Sequence, residues 1–551
     1  MLRIIPLGGM GHVTNNLFVY EYGDGQNVDR LIVDCGIGFP EEEMLGADLL
    51  VPDISYLKDK ADSIVGIILT HGHDDHIAGL PYVLPQFERQ IPIYASALAA
   101  GFAQGNLKEF GIKDQIQTFP DHPLELGRFK VDPIAVTHSV PDTKHLVIST
   151  PEGNIYHGSD FKFDWTPVDG RRPDLQKMAY YGQQGILALL TDCLRVENDG
   201  YSLSETKVGE NLSKEMRDVK GKVVVTTMSS NIHRIQQAVD AALENKRKVA
   251  FIGRSVEENI KIAEQLDFVK IPQQSIINKR RISKFPDHEL CLIVAGSQGQ
   301  IGSTLTRIAT NEHQLVKVKP GDHVVFSADP IPGNEGHVYR AVDNLAQLGA
   351  TVSYREVQDT LHVSGHASAD ELRLFLTLLK PKFVVPIGGT FRHMTQFKVL
   401  AKNMGWSDEN VALLNDGEVL GLNQDKMWID DKLKLKTVIV DGLGIGDVGP
   451  AVLSDRKKMS QSGMIVVAIP VDQAKNQIKG RPEVITRGFV FVRQSQEILE
   501  AIADQTQKLL PVGFQIRDWK DKRYEVTEDL EKFVFAQTQR EPLVLVTLVR
   551  G

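Results

Sequence analysis

The stretch LTHGHDDHIAGLP, Leu69 to Pro81, constrains this chain more than any other. Residues 71–76 hold three histidines and two aspartates, and they follow the apolar run IVGIILT without a break. A short apolar run ended by polar residues reads as a buried strand of an α/β sheet whose C-terminal end opens onto a site. In the pattern His71-x-His73-x-Asp75-His76, imidazole and carboxylate suit a hard or borderline divalent cation. Ligands one and two residues apart on a turn face different sides, so one loop can serve two ions. A polar turn with surface histidines is the plainer reading, and it leaves so dense a cluster beside a buried strand unexplained.

Other expected strand ends carry matching residues. LIVDCG (31–36) brings Asp34, placed to orient a ligand from behind. AVTHSVPD brings His138 and YHGSDFKFD brings Asp160. Taken singly, each is a common hydrogen-bonding turn residue. KHLVIST (144–150) and ILALLTD (186–192) are further strands. Long helical patterns are few before about residue 205, which implies two mixed sheets packed together with helices outside.

The rhythm then changes. KVVVTT (222–227) leads into a stretch with Ile232, Ile235, Val239 and Leu243 at helical spacing. VAFIG, LCLIVAGSQ and HVVFSADP follow, then the helical HVYRAVDNLAQLGA. Strand and helix alternating in this way predict a parallel α/β domain over 206–367. A helix over 369–379 and a strand in KPKFVVPIGG come next, then short strands in VALLNDGEVLGLN and LKLKTVIVDG. From about 455, the strands SGMIVVAIPVD and EPLVLVTLVRG and the amphipathic SQEILEAIADQTQKLL predict a small α/β domain.

Composition narrows the partners. A chain of 551 residues accommodates two to four domains. No apolar stretch is long enough to cross a bilayer. The start, MLRIIPLGGMG, lacks the apolar run and cleavage site of a signal peptide. A cytoplasmic location without a membrane partner is therefore expected. Cys35, Cys193 and Cys291 are far apart in apolar surroundings and read as buried free thiols. The net charge of −9 argues mildly against a nucleic-acid partner for the protein as a whole. A local basic groove, or cations in a cleft, would invert the local field.

These pieces in this order resemble the metallo-β-lactamase fold. The set FPEEEMLGADLLVPDISYL, THSVPD, DFKFDWTPVDG, SNIHRIQQ, GSQG, PIPGNE, HVSGHAS and GDVG resembles the bacterial ribonuclease J family, of the β-CASP group, over essentially the whole chain. HxHxDH alone is shared by many hydrolases, whereas the combined set is specific. The resemblance implies an α/β protein. Its metallo-β-lactamase αββα sandwich (1–205 and 368–435) is interrupted by a β-CASP domain (206–367). A linker (436–455) and a C-terminal α/β domain (456–551) follow.

The resemblance also assigns roles. His71, His73, His138 and Asp160 would form a first metal site. Asp75, His76 and a bridging Asp160 would form a second, with zinc as the expected ion and manganese or magnesium as alternatives. The family closes the second site with the histidine of a motif like PVHGEYRH. Here the stretch reads PIGGTFRH, and Gly388 stands at that position. One firmly bound ion and a weak or absent second are expected. His393 is present in the family as well and is not read as a substitute. The glycine-rich start, GGMGHVTNN, and the stretch GSQGQIGSTLTR also depart from the family pattern.

Ser229 and Asn231, with His233 nearby, precede or open a helix whose free amides favour an anion; a simple N-cap explains the same pattern. His362, Ser364 and His366 form HVSGH, which by resemblance meets the scissile phosphate. Asp75 and His366 are the expected catalytic residues. GSQG is a weaker candidate for a 5′-phosphate pocket, and KRRISK (279–284) for a backbone contact. The implied function is metal-dependent hydrolysis of single-stranded RNA, 5′-to-3′ from 5′-monophosphate ends and also internally, in RNA processing and decay. A homodimer or homotetramer is implied too. The alternative is a catalytically weak paralogue that binds RNA in a hetero-complex with an active partner, and Gly388 is the feature that separates the two. A small-molecule hydrolase leaves the insertion and its phosphate-type turns unexplained.

Overall fold

The computed structural model describes the chain except residues 26, 42, 114, 332, 359, 443, 490–495, 516–518 and 551, and the side chains of 521 and 550. Parts of the quoted FPEEEML, PIPGNE, SQEIL and EPLVLVTLVRG stretches thus lie outside the described residues. The chain forms two compact units. One comprises residues 1–38 and 51–437, the other 39–50 and 438–551.

Two sheets dominate the first unit. The eight-stranded sheet includes Leu2–Gly8, Leu17–Asp24, Asn27–Val33 and Ile64–Leu69 as neighbours. The six-stranded sheet places Phe383–Ile387, Ile186–Asp192, Gly153–Gly158 and Lys144–Thr150 side by side. Successive strand residues point to opposite faces. Leu31, Val33 and Ile68 therefore enter the core shared with Val131, Ile148, Ile155 and Leu189 of the other sheet. Ile32, Ile67 and Leu69 enter a second core on the opposite face. The helices Ala369–Leu379 and Asn-terminated Phe391–Asn403 add Phe375 and Phe397 to the first of these cores. With the fold this is a metallo-β-lactamase sandwich of mixed sheets.

Asn27–Val33 pairs parallel with Ile64–Leu69, and Ile186–Asp192 pairs parallel with both Gly153–Gly158 and Phe383–Ile387. Parallel pairing gathers C-terminal strand ends, and in open α/β sheets ligands collect there. Asp34, His71, Ser159, Gly388 and the terminal Asp192 all stand at such ends. The strand expected in LIVDCG stops at Val33, because Asp34 takes a left-handed φ of 63° and turns the chain away.

In sequence between Ile186–Asp192 and Phe383–Ile387 comes a five-stranded, wholly parallel sheet ordered Lys248–Ile252, Leu290–Val294, Val223–Thr226, His323–Phe326, Thr351–Ser353. Its central strands are buried throughout, as sheets covered on both faces by helices require. In the second unit, Met464–Asp472 pairs parallel with Leu543–Arg550 and antiparallel with Glu483–Arg487. Val526, Leu530 and Val534 of the helix Trp519–Thr538 enter its core. Residues 436–455 carry the short strand expected in LKLKTVIVDG, at Val438–Asp441, and also Gly444–Ile445 and the first turns of the helix Pro450–Ser462, neither of which the sequence places. That helix buries none of its residues, so the sequence offers no apolar stripe to reveal it.

Candidate metal centre

His71, His73, His138 and Asp160 converge, with one ligand atom of each within 4.8 Å of all the others. All four are buried. Their hydrogen bonds dictate which ring nitrogen keeps its lone pair. Thr70 Oγ1 donates to the Asp34 carboxylate at 2.9 Å, so it accepts from His71 Nδ1 at 3.0 Å. His138 Nδ1 donates to the Gly365 carbonyl at 2.8 Å. His73 Nε2 faces Ser139 Oγ at 3.2 Å. His71 Nε2 and His138 Nε2 are thereby left unprotonated, and both point at His73 Nδ1. His73 Nδ1 lies 3.1 Å from His71 Nε2 and 3.2 Å from His138 Nε2.

Two ring lone pairs thus converge beside a third imidazole nitrogen, and a cation among the three would satisfy all of them. Zinc–nitrogen bonds of about 2.0–2.1 Å in a tetrahedron put neighbouring nitrogens about 3.3 Å apart. The donor set fits a divalent cation on chemistry and on spacing. Asp160 Oδ2 completes it, 3.8 Å from His71 Nε2 and 3.7 Å from His138 Nε2. Burial, and then the neighbouring imidazoles, hold His71 well below the usual histidine range. Burial brings His73 down to about 3. Neutral imidazole is the form a metal needs.

A second group, Asp75, His76 and Asp160, adjoins the first. His76 Nε2 lies 3.6 Å from Asp75 Oδ2 and 3.7 Å from Asp160 Oδ2. Its Nδ1 donates to Asp34 Oδ2 at 2.7 Å. Asp34 also accepts from the Thr70 amide at 2.8 Å, so one buried carboxylate orients histidines of both groups. A Cβ added to Gly388 would lie 3.6 Å from Asp160 Oδ1 and 3.7 Å from Asp192 Oδ1. The residue that supplies no ligand thus stands against the centre. His393 turns to other work, its Nδ1 accepting from the Thr390 amide at 3.2 Å to cap its own helix.

Gly365 is small for a reason. A Cβ there would meet His138 Nδ1 and Cε1, both at 2.8 Å. The HVSGH turn therefore packs directly on a ligand. His366 Nδ1 donates to Asp192 Oδ2 at 2.8 Å, and its ring lies 5.0 Å from that of His138. Burial alone would lower its pKa, but the Asp192 carboxylate overrides this and raises it to about 9. Ser364 Oγ accepts from the His366 amide at 3.1 Å. His362 Nδ1 accepts from Arg234 Nη1 at 3.3 Å, which leaves its Nε2 as a neutral donor.

Asn231 Oδ1 caps the helix Ile232–Glu244 by accepting from the Arg234 amide at 3.1 Å. The Ser229 carbonyl accepts from Asn259 Nδ2 at 3.1 Å. His233 stands 3.4 Å from Asp169 Oδ2 and faces a small cavity of about 80 Å³ whose wall includes His138. Gln298 of GSQG binds the 329–331 turn, donating to the Asp329 carbonyl at 2.9 Å and accepting from the Ile331 amide at 2.7 Å. Lys279 of KRRISK is ion-paired with Glu257. Asp192 was not singled out in the sequence, although it ends a quoted strand at which such residues collect.

Comparison with known proteins places this geometry. Four family models match: Beta-lactamase superfamily domain over 29–175, Ribonuclease J, beta-CASP domain over 220–345, Zn-dependent metallo-hydrolase RNA specificity domain over 349–411, and Ribonuclease J C-terminal domain over 451–551. Ribonuclease J2 of Bacillus subtilis is 35% identical over 99% of this chain and 98% of its own length. The chain belongs to the ribonuclease J family. Ribonuclease J of Thermus thermophilus is 36% identical over 100% of this chain and 95% of that protein. Ribonuclease J 2 of Staphylococcus epidermidis is 31% identical over 99% and 97%. A solved Enterococcus faecalis protein of unknown function shares the fold, with a TM-score of 0.55 at 14% identity, covering 76% of this chain and 99% of that one. Among the described residues of this ribonuclease J family member, no helix is long and apolar enough to cross a membrane.

Two substitutions test the centre. In Asp34→Asn, the amide oxygen would keep the Thr70 amide and the NH₂ would face His76 Nδ1, forcing the ring proton onto Nε2. Asparagine tolerates the left-handed φ. Metal affinity is expected to fall about 10–100-fold in chelator competition, with the fold retained. Gly388→His is expected to raise the number of ions bound per chain; unchanged metal content would contradict the placement of that residue.

Proposed function

We propose that this chain is a metal-dependent ribonuclease hydrolysing phosphodiester bonds of single-stranded RNA. It would act 5′-to-3′ from 5′-monophosphate ends and also internally, in RNA processing and decay. The observation that carries this reading is the convergence of His71, His73, His138 and Asp160, with His366 held by Asp192 against the His138 ring. Family membership and the match to the Zn-dependent metallo-hydrolase RNA specificity domain support it. We further propose that residues 206–367 form the β-CASP insertion of a sandwich built from 1–205 and 368–435.

Hydrolysis adds water to phosphorus, breaks one P–O bond and returns a proton to the departing oxygen. When bound, a divalent cation, zinc or alternatively manganese or magnesium, would lower the pKa of a water and neutralise phosphate charge. His71, His73, His138 and Asp160 would hold it, with Asp75 and His76 as ligands for a weaker second ion. Asp75, raised to about 6 by burial, would orient a water and accept its proton. His366, protonated and steadied by Asp192, donates to the departing oxygen or to the phosphate. The turn at Ser229 and Asn231, with His233, His362 and Ser364, holds neighbouring phosphates through amide, hydroxyl and imidazole donors.

Gly388 favours a second reading, a catalytically weak family member that binds RNA and works beside an active paralogue. A homodimer or homotetramer, through the C-terminal unit, and a cytoplasmic location belong to the proposal as well. The experiment is cleavage of 5′-monophosphate and 5′-triphosphate RNA with zinc, manganese or magnesium. The parent should degrade the monophosphate substrate faster. His366→Gln should lower kcat about 10²–10⁴-fold, the scale of general acid–base catalysis. A clean parent inert with all three metals would favour the RNA-binding reading.

A further inference from the structure

The ligand-bearing loops and the 229–231 turn meet on a buried charge cluster that the hydrolysis above does not use. Lys162, Asp164, Glu205 and Arg234 are each at most 2% exposed. Glu205 is the hub. Its Oε2 accepts from Arg234 Nη2 at 2.6 Å and Nε at 3.2 Å, and its Oε1 lies 3.6 Å from Lys162 Nζ. Its amide donates to Asp164 Oδ2 at 2.9 Å, and its carbonyl accepts from Gln237 Nε2 at 2.8 Å.

Each partner leads to a different part of the centre. Lys162 follows Asp160 by two residues, and its backbone is tied to Thr137, the neighbour of His138. Its amide donates to the Thr137 carbonyl at 2.8 Å, and its carbonyl accepts from Thr137 Oγ1 at 2.6 Å. Arg234 sits in the first turn of the helix capped by Asn231, and its Nη1 reaches the Ser327 carbonyl at 2.8 Å and His362 Nδ1 at 3.3 Å. One carboxylate therefore spans metal ligands on one side and the phosphate-type residues on the other.

Stability is a poor reason for such a cluster, because buried ion pairs are often matched or beaten by apolar side chains of similar volume. Geometry is a better one. A guanidinium fork on a carboxylate fixes both distance and orientation. Glu205 also stands immediately before the helix Thr206–Met216, where the chain leaves the sandwich for the parallel sheet.

We propose that Glu205 is a positioning residue that sets the spacing between the hydrolytic centre and the 229–231 turn with His362, and so fixes which phosphodiester of a bound RNA is presented for cleavage. This rests on the ribonuclease reading above.

The test is Glu205→Gln, which keeps the shape and removes the charge. On 5′-monophosphate RNA, KM should rise about tenfold with kcat little changed, and the ladder of product lengths should lose its regular register. Hydrolysis of bis(p-nitrophenyl) phosphate, which needs only the hydrolytic centre, should stay within about twofold, with metal content unchanged. The double variant Glu205→Gln/Lys162→Met restores charge balance. It should recover the melting temperature and retain the raised KM, and it carries the test if the single variant does not fold. An unchanged KM and ladder, a parallel loss on RNA and the small diester, or a normal KM in the double variant would each overturn the proposal. A parent that cleaves no RNA sinks the ribonuclease reading instead. Positioning is then read from the Kd for a 5′-monophosphate oligonucleotide, expected to weaken in Glu205→Gln and overturned by equal affinity.

Discussion

His71, His138 and His76 each hand one ring proton to an oxygen behind it, and the cation site follows from that. Thr70 Oγ1, the Gly365 carbonyl and Asp34 are the acceptors. With those protons turned outward, His71 Nε2 and His138 Nε2 bring lone pairs to within 3.1–3.2 Å of His73 Nδ1. A buried group left without a partner is costly. A divalent cation removes that cost for all three rings at once, and Asp160 supplies negative charge to balance it.

The same few ångströms hold titratable groups whose surroundings drive them apart. His138 is kept well below the ordinary histidine range by burial and by the facing rings. His366 is held at about 9, since the Asp192 carboxylate outweighs its burial. A neutral His138 and a protonated His366 thus coexist at one pH, the arrangement from which acid and base roles are assigned. The backbone makes it compact: Gly365 lets the HVSGH turn lie on the His138 ring with no side chain between.

Much of this was legible in the sequence, for physical reasons that differ by residue. HxHxDH is local, so its spacing survives in one dimension. The strands carrying Asp34, His138 and Asp160 announce themselves by apolar runs. The grouping of His138 and Asp160 with the early histidines came from resemblance, because residues brought together by parallel pairing have no common period. The Gly365 carbonyl left no trace, since a backbone acceptor 227 residues from His138 has no sequence signature. Glu205 and Arg234 are not singled out by the sequence, because burial of a charged pair leaves no local signature. The helix Pro450–Ser462 went unread because it has no apolar face.

The central claim is that the four convergent side chains grip a divalent cation. Native mass spectrometry of the intact chain, equilibrated with zinc and exchanged into metal-free volatile buffer, reads this directly. The account predicts at least one ion retained per chain, and its loss in His138→Ala while the fold persists. A parent that emerges folded and metal-free, or a His138→Ala protein that keeps its full complement, would contradict it.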